Sequence, residues 1–357
     1  MNESFRVLAI NPGSTSTKIA VYEGNAPLFE TTLQHAPEEL FSFAGDETSL
    51  AFRRKVIEKA LAEHGVRVDT LHAVIGRGGM LRPIAGGTYA VNERMLHDLA
   101  SRAYGEHASN LGAPLARRIA SEASLPAYIA DPVATDEMHA LARLSGHPEI
   151  ERRSVFHALN QKAVARRFCA ERKLRYEEVN LIVAHMGGGA SVGAHEKGRV
   201  IDVNDGLGGD GPYSAQRCGG LPASALVKLC RRVNLPAPEL IRQLNTRGGL
   251  MGYLGTDDGR EIGRRARNGD DRARLAYEGM AYQVAKEIGA CAAVLRGDVT
   301  AVILTGGFAH DGLITGWIAE RTRFIAEVAV MPGEDELRAL CEAALRVLCG
   351  EETPKEY

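Results

Sequence analysis

Long apolar runs are missing from this chain of 357 residues. No window approaches the ~20 consecutive apolar residues that a membrane helix needs, so no membrane partner is expected. The opening MNESFRVLAI passes from a short polar start straight into a strand-like pattern, without the charged start, apolar stretch and cleavage site of a signal peptide. An excess of either charge is missing as well. Lys and Arg number 43 against 45 Asp and Glu, a net charge of −2, which offers nothing for bulk attraction to a polyanion. No basic block or aromatic stacking series points to nucleic acid. Paired cysteines are also lacking. The six, Cys169, Cys218, Cys230, Cys291, Cys341 and Cys349, never fall in a C-x-x-C spacing, so neither a zinc site nor a disulfide framework is indicated. Reduced thiols and a cytoplasmic location are the expectation.

What is present is an ordinary globular composition, 45% hydrophobic and 25% charged, at a length that predicts two domains. One short pattern occurs twice, as VLAINPGSTSTK over residues 7–18 and as LIVAHMGGGAS over residues 181–191. Each copy is an apolar strand that ends on a polar residue and turns through glycine and hydroxyl residues into a second apolar run. Asn11 and Gly13 fall opposite His185 and Gly187. Glycine has no Cβ to hold a ligand away, so bare backbone N–H groups in such a turn approach it closely. Two turns of this kind, facing each other, would grip a polyphosphate from both sides.

Strands and helices alternate around the two copies, which predicts an α/β layer architecture. Leu50, Val56, Ile57, Ala60 and Leu61 recur at helical spacing and predict a helix over about 48–64. A strand at 73–75 enters a glycine-rich turn at 76–79, and a helix is expected near 92–103. A short strand then runs up to Asp131, which Pro132 restricts to an extended conformation. After a helix over about 158–173 the pattern restarts at 181. The boundary is therefore expected near residue 150, with one domain over 1–150 and a second over 151–357, its last helix packing back towards the first. Residues 203–260 are dense in glycine and helix breakers and read as active-site walls. A long helix over 270–296, a buried strand that breaks on Gly306 and Gly307, a strand near 323–330, the acidic run PGEDE at 332–336 and a final helix complete the chain.

Three glycine-bearing turns each follow an apolar strand, at 11–18, 185–191 and 305–308. Together they resemble the phosphate-1, phosphate-2 and adenosine motifs of the acetate and sugar kinase, Hsp70 and actin superfamily. INPGSTSTK, FHALNQKAVARRF, HMGGGASVGAH, RCGGLP, LTGG and PGEDEL come in the order expected of the acetokinase family and span nearly the whole chain. The wording of GRGG, FHALNQKAVAR, HMGGGAS and PGEDE is similar to the butyrate kinase branch of that family. The resemblance implies two duplicated ribonuclease-H-like (actin-like ATPase) α/β domains with a nucleotide cleft between them. It also implies ATP/ADP and Mg2+ as cofactors, butanoate or a similar short-chain acid as substrate, and a homodimer or higher homo-oligomer.

Carried over residue by residue, the resemblance places Asn11 and Asp131 near Mg2+, with Asp335, or its neighbour Glu336, as a further metal carboxylate. Gly13, Ser14, Thr15, Ser16 and Lys18 fall in the phosphate-1 motif. His185, Gly187, Gly188, Gly189 and Ser191 fall in phosphate-2, and Gly306 and Gly307 in the adenosine motif. Arg217 matches an arginine on the transferring phosphoryl group. The family's other arginine lies in HRVVHGG, and here alanine or valine stands at its place; either Arg77 of GRGG has taken the role or the carboxylate is held otherwise. His157 matches the first histidine of FHGTSH, whereas Gln161 replaces the second, and glutamine can donate an N–H to an oxyanion but cannot carry charge.

The chemistry suits these residue types. A carboxylate is ionised at neutral pH and needs no activating base. What it needs is relief from repulsion as it approaches a polyphosphate in line, which arginine, Mg2+ and backbone N–H groups supply. A nucleotide-gated protein of the Hsp70 or actin type is the rival reading, but such proteins usually add a peptide-binding domain or filament-forming insertions, for which this chain has no evident segment.

Overall fold

The computed structural model describes residues 4–36 and 47–357. The chain divides into two compact units, one of Met1–Thr135 with Asp335–Tyr357 and one of Asp136–Glu334. The expected break near residue 150 thus falls inside the second unit, ahead of the restart of the pattern.

In the first unit β1 (Arg6–Pro12), β2 (Ser16–Glu23) and β3 (Ala26–Gln34) form an antiparallel meander. The helix α1 (Glu47–Glu63) leads to β4 (Ala73–Arg77), which lies parallel to β1. Then come β5 (Thr88–Ala90), α2 (Glu93–Ser101), α3 (Gly112–Glu122) and β6 (Ala127–Ala130), the last parallel to β4. The strand order is β3-β2-β1-β4-β6-β5. Leu8 and Ile10 of β1 enter a core with Ile57 and Leu61 of α1 and Leu115 and Ile119 of α3. The strand β4 does not turn at Gly76, as the glycine run suggests, but continues to Arg77. The glycine serves close packing instead, because a Cβ at Gly76 would overlap the Gly112 carbonyl of α3.

The second unit begins with a small hairpin of β7 (Leu144–His147) and β8 (Ile150–Glu151), followed by α4 (Ala158–Glu171). A second antiparallel meander comprises β9 (Asn180–Met186), β10 (Ala190–Glu196) and β11 (Arg199–Val203). Five helices follow, α5 (Ala223–Val233), α6 (Ala237–Thr246), α7 (Gly249–Leu254), α8 (Gly259–Arg267) and α9 (Asp271–Val294). After them β12 (Ala301–Thr305), α10 (Gly312–Thr322) and β13 (Glu327–Val330) complete the sheet, in the order β11-β10-β9-β12-β13. Ile182, Ala184 and Met186 of β9 pack with residues of α8, α9 and α10, while Leu181 and Val183 pack with Val164 and Phe168 of α4. Burial on both faces is why β9 is apolar without alternation from Leu181 to Ala184. The glycine stretch at 247–252, read as loop, contains α7. Its first residue, Gly249, has φ of +53°, and the Leu250 and Met251 N–H groups then donate to the Ser214 and Ala215 carbonyls at 3.0 and 2.8 Å.

Both sheets therefore repeat one ribonuclease-H-like topology: an antiparallel meander whose first strand is flanked by two further parallel strands, with β5 added at the edge of the first. The repeat in sequence is a repeat of a domain.

The last helix, α11 (Glu336–Leu348), belongs to the first unit and packs on β1 and β4. The tail after it runs along β5. The Thr88 N–H donates to Glu352 Oε1 at 2.6 Å, Lys355 Nζ donates to the Gly86 carbonyl, and the Tyr357 hydroxyl donates to Asp98 Oδ2 at 2.8 Å. Among the described residues no helix is long and apolar enough to cross a membrane.

Candidate functional site

The two glycine hairpins close in the same way. Pro12 pairs with Thr17 in the first and Met186 with Ala190 in the second. The Gly13 N–H donates to the Ser16 carbonyl at 2.8 Å, and the Gly187 N–H to the Gly189 carbonyl at 2.8 Å. Asn11 and His185 stand at the carboxyl end of the central strand of each sheet, paired across the hairpin with Lys18 and Ser191. The carboxyl ends of parallel strands are where open α/β sheets bind ligands.

In the first unit the structure brings Asn11, Arg77 and Glu336 together. Asn11 Nδ2 donates to Glu336 Oε2 at 2.5 Å, and Arg77 Nη1 forms a closer ion pair with Glu336 Oε1. Asp335 is employed differently, since its carboxylate caps α11 by accepting the Arg338 N–H at 3.3 Å. Burial and then Asp335 push the Tyr22 hydroxyl well above its ordinary pKa, which sets Asp335 beside β2. Of the two acidic residues the sequence left open, Glu336 is the one that meets Asn11.

Asp131 follows β6, whose Ala130 pairs with Arg77. The expectation of an extended Asp131 is corrected: its φ is +37°. Two bonds to one residue hold this left-handed conformation, with Oδ1 accepting the Gly87 N–H at 2.7 Å and the Asp131 N–H donating to the Gly87 carbonyl at 3.1 Å. Aspartate tolerates that region because its short side chain satisfies nearby backbone. Ser14, Thr15 and Lys18 are exposed, and Ser16 is half-buried.

In the second unit His185 Nδ1 lies 2.8 Å from Asn160 Oδ1, while Asn160 Nδ2 donates to the Gly333 carbonyl at 3.3 Å. On the other side of the ring, His185 Nε2 faces Glu334 Oε1 at 3.0 Å. The His157 ring stacks on His185 with centroids 3.7 Å apart, and its Nδ1 lies 2.9 Å from Ser191 Oγ. Gln161 is fully buried. Its Nε2 donates to Ser191 O at 3.0 Å and to Ser191 Oγ at 2.9 Å, and its Oε1 lies 3.0 Å from His195 Nε2. Both donors are used inside the protein, so Gln161 holds Ser191 in place and does not itself offer an N–H to an outside oxyanion. Burial, reinforced by Lys162 and Arg166, keeps His195 well below the ordinary histidine pKa.

Arg217 lies directly against the second hairpin. Its Nη1 donates to the Gly206 carbonyl, and a Cβ at Gly189 would overlap that nitrogen. Burial pulls Arg217 below its ordinary pKa, with Asp205 opposing. Ser214 Oγ donates to the Gly188 carbonyl at 2.6 Å, and the Gln216 N–H to the same oxygen at 3.2 Å. Gly306, at φ of +88°, passes against the Met186 backbone where no side chain would fit.

The model of the Acetokinase family matches residues 140–320, just over half of the 357. The chain belongs to the acetokinase family. Its fold is that of the acetate kinase from Porphyromonas gingivalis, with a TM-score of 0.79 at 19% identity over 96% of this chain and 99% of that one. The acetate kinase from Entamoeba histolytica superposes with a TM-score of 0.75 at 17% identity, covering 95% and 99%. A propionate kinase from Francisella tularensis subsp. tularensis SCHU S4 gives 0.73 at 19% identity, covering 95% and 98%.

This acetokinase has an open cavity of about 860 Å³ within its second unit, a size typical of small-molecule sites. Gly187, Gly188, Gly307 and Phe308 line it together with Asp257, Arg260, Asp311 and Glu334. The glycine turns after β9 and β12 thus share one hollow. Glu334 was missed by motif reading, which moved past it to its two acidic neighbours. Its carboxylate lies against the hairpin, so that a Cβ at Gly187 would come within 2.7 Å of Oε1. Ser214 and Asp257 carried no signal beyond lying in the breaker-rich stretch. Among the described residues no group of three or more His, Cys, Asp and Glu side chains could hold a metal unaided. Mg2+ does not need one, because it binds through one or two carboxylates with waters and substrate phosphates. Glu336 beside Asn11 fits that requirement.

Proposed function

We propose that this acetokinase is a butyrate kinase. It transfers the γ-phosphate of ATP reversibly to a short-chain carboxylate, butanoate foremost, giving butanoyl phosphate and ADP. A carboxylate oxygen attacks the γ-phosphorus in line as the bond to the β,γ-bridging oxygen breaks, and ADP leaves with that electron pair. The observation that carries this reading is the duplicated glycine hairpin, set in each unit at the carboxyl edge of parallel strands and backed by cationic or amide side chains.

The outward N–H groups of Ser14 and Thr15 and those of Gly188 and Gly189 receive phosphate oxygens, with Lys18, Ser191 and His185 alongside. Gly306 and Gly307 flank the adenosine. Arg77 and Arg217 neutralise the reacting anions, and His157, fixed through Ser191 by Gln161, stands on the phosphoryl side. Mg2+ lowers the charge of the phosphates when bound, with Asn11, Glu336 and Asp131 as its protein side. The enzyme acts in the cytoplasm as a homodimer or larger homo-oligomer, as the family resemblance implies.

Butanoate is preferred because of the wording of GRGG, FHALNQKAVAR, HMGGGAS and PGEDE. Acetate or propionate is the second reading, favoured by the names of the acetate and propionate kinases that share the fold. Trapping the acyl phosphate with hydroxylamine while following ADP release, across straight and branched acids of two to five carbons, decides between them. The expected result is the highest kcat/KM with butanoate. Equal or better use of acetate transfers the assignment to the second reading, and ADP release that ignores the carboxylate ends the kinase reading altogether.

A further inference from the structure

The first hairpin is gripped from behind by a cation that no motif contains. Arg53, on α1, is fully buried and has no carboxylate partner among the described residues. Its Nη2 donates to the Gly13 and Ser14 carbonyls at 3.0 and 3.3 Å, and its Nη1 to the Ser16 carbonyl at 3.0 Å and to Thr17 Oγ1 at 2.6 Å. The remaining carbonyl of the turn, that of Thr15, accepts the His35 N–H at 2.9 Å. Every carbonyl from 13 to 16 is therefore turned into the protein. In a trans peptide the N–H points away from the C=O, so the Ser14 and Thr15 N–H groups point the other way. Both residues are exposed, and these two N–H groups make no hydrogen bond among the described residues.

Thr17 is locked by the same contact. Its hydroxyl oxygen accepts from Arg53 Nη1 and lies 2.8 Å from His35 Nε2. A cation buried without an anion is costly to keep. Burial lowers the pKa of Arg53 to about 10, which still leaves it charged at neutral pH. An anion meeting the two outward N–H groups would complement this charge.

We propose that Arg53 is the positioning residue of the first phosphate loop: its guanidinium fixes the loop carbonyls inward, aims the Ser14 and Thr15 N–H groups at a phosphate oxygen of the nucleotide, and sets an uncompensated positive charge beneath that oxygen. This rests on the assignment of a nucleotide to this protein made above. Arg53→Met keeps the bulk and removes both charge and donors, and Arg53→Lys keeps the charge but loses the fork. In the full-length chain Arg53→Met raises the KM for ATP by about tenfold, the scale of one charge-assisted hydrogen bond lost, and leaves the KM for the carboxylate within about twofold. Arg53→Lys falls between Met and wild type.

A purely structural role would instead lower the melting temperature and the amount of active enzyme with both KM values unchanged, and that outcome overturns the proposal. So does a folded Arg53→Lys with wild-type KM for ATP, which decides alone should Arg53→Met fail to fold. Wild-type protein that binds no ATP overturns the assigned function, whereas active wild type with indifferent variants overturns only the role of Arg53.

Discussion

Replacing Gly189 by alanine puts a methyl group where the Arg217 guanidinium now lies, because the added Cβ would overlap Nη1 and come within 3.1 Å of the Gly206 carbonyl. The tip of an arginine can swing away, so the backbone need not move. What is lost is the hydrogen bond from Arg217 to Gly206, worth about 1.5–3 kcal/mol for a charged donor. The displaced guanidinium recovers much of this from water, leaving a net stability loss of about 1 kcal/mol, or a fall in Tm of about 2–4 °C for a unit of this size. The effect on turnover is larger if Arg217 acts where it stands, since removing one preorganised donor costs roughly 10²–10³ in kcat. Gly306→Ala is the control. There the clash is with the Met186 backbone and φ is +88°, which a side-chain rotation cannot relieve, so about 1–3 kcal/mol of strain falls on folding. Thermal melts and hydroxamate-trapped rates on both variants separate the two effects. A Gly189→Ala enzyme with wild-type kcat refutes the placement of Arg217 beside the reacting phosphate. One whose melting temperature falls as far as that of Gly306→Ala refutes the claim that only a side-chain tip is displaced.

Glu336→Gln breaks the shared carboxylate of Asn11 and Arg77 and is expected to raise the Mg2+ concentration needed for half-maximal rate, with little change in melting temperature. Asp335→Ala removes only a helix cap, costs about 0.5–2 kcal/mol in a denaturant titration and leaves the Mg2+ dependence alone; the reverse pattern would reassign the metal carboxylate. Below the ordinary histidine pKa the unfolded chain takes up a proton at His195 that the folded chain refuses. Stability that is fully present above pH ~6.5 is therefore lost as pH falls, by up to about 1.4 kcal/mol per unit. His195→Asn should flatten that acid limb in urea titrations followed from pH 7 to 5, and an unchanged slope would show that another group sets it.

The duplicated hairpins were plain in the sequence because a strand that ends on Asn11 or His185 and breaks on glycine is a local pattern. Local patterns also gave the helices near 48–64 and 270–296 to within a few residues of α1 and α9. Long-range partners were not legible. Arg53 reads as one of three adjacent cations on a helix, and only the packing of α1 shows that it turns inward. Gln161 reads as a substitute for a charged side chain, and the depth at which α4 buries it decides otherwise. Asp131 illustrates the opposite error, where a sound local rule about the residue before proline yields to a clasp with Gly87, far away in sequence.

The first unit is assembled from both ends of the polypeptide, with a self-contained second unit spliced between them. A ribosome therefore delivers all of Asp136–Glu334 before it adds α11, and until then β1 and β4 have an uncovered face and Arg77 lacks its carboxylate. The nascent first unit must wait, half-built, while its neighbour is already free to fold. Any cut or frameshift ahead of Asp335 removes the face-covering helix and the Glu336 anchor in a single event, so stability of the early strands and competence of the site should disappear together.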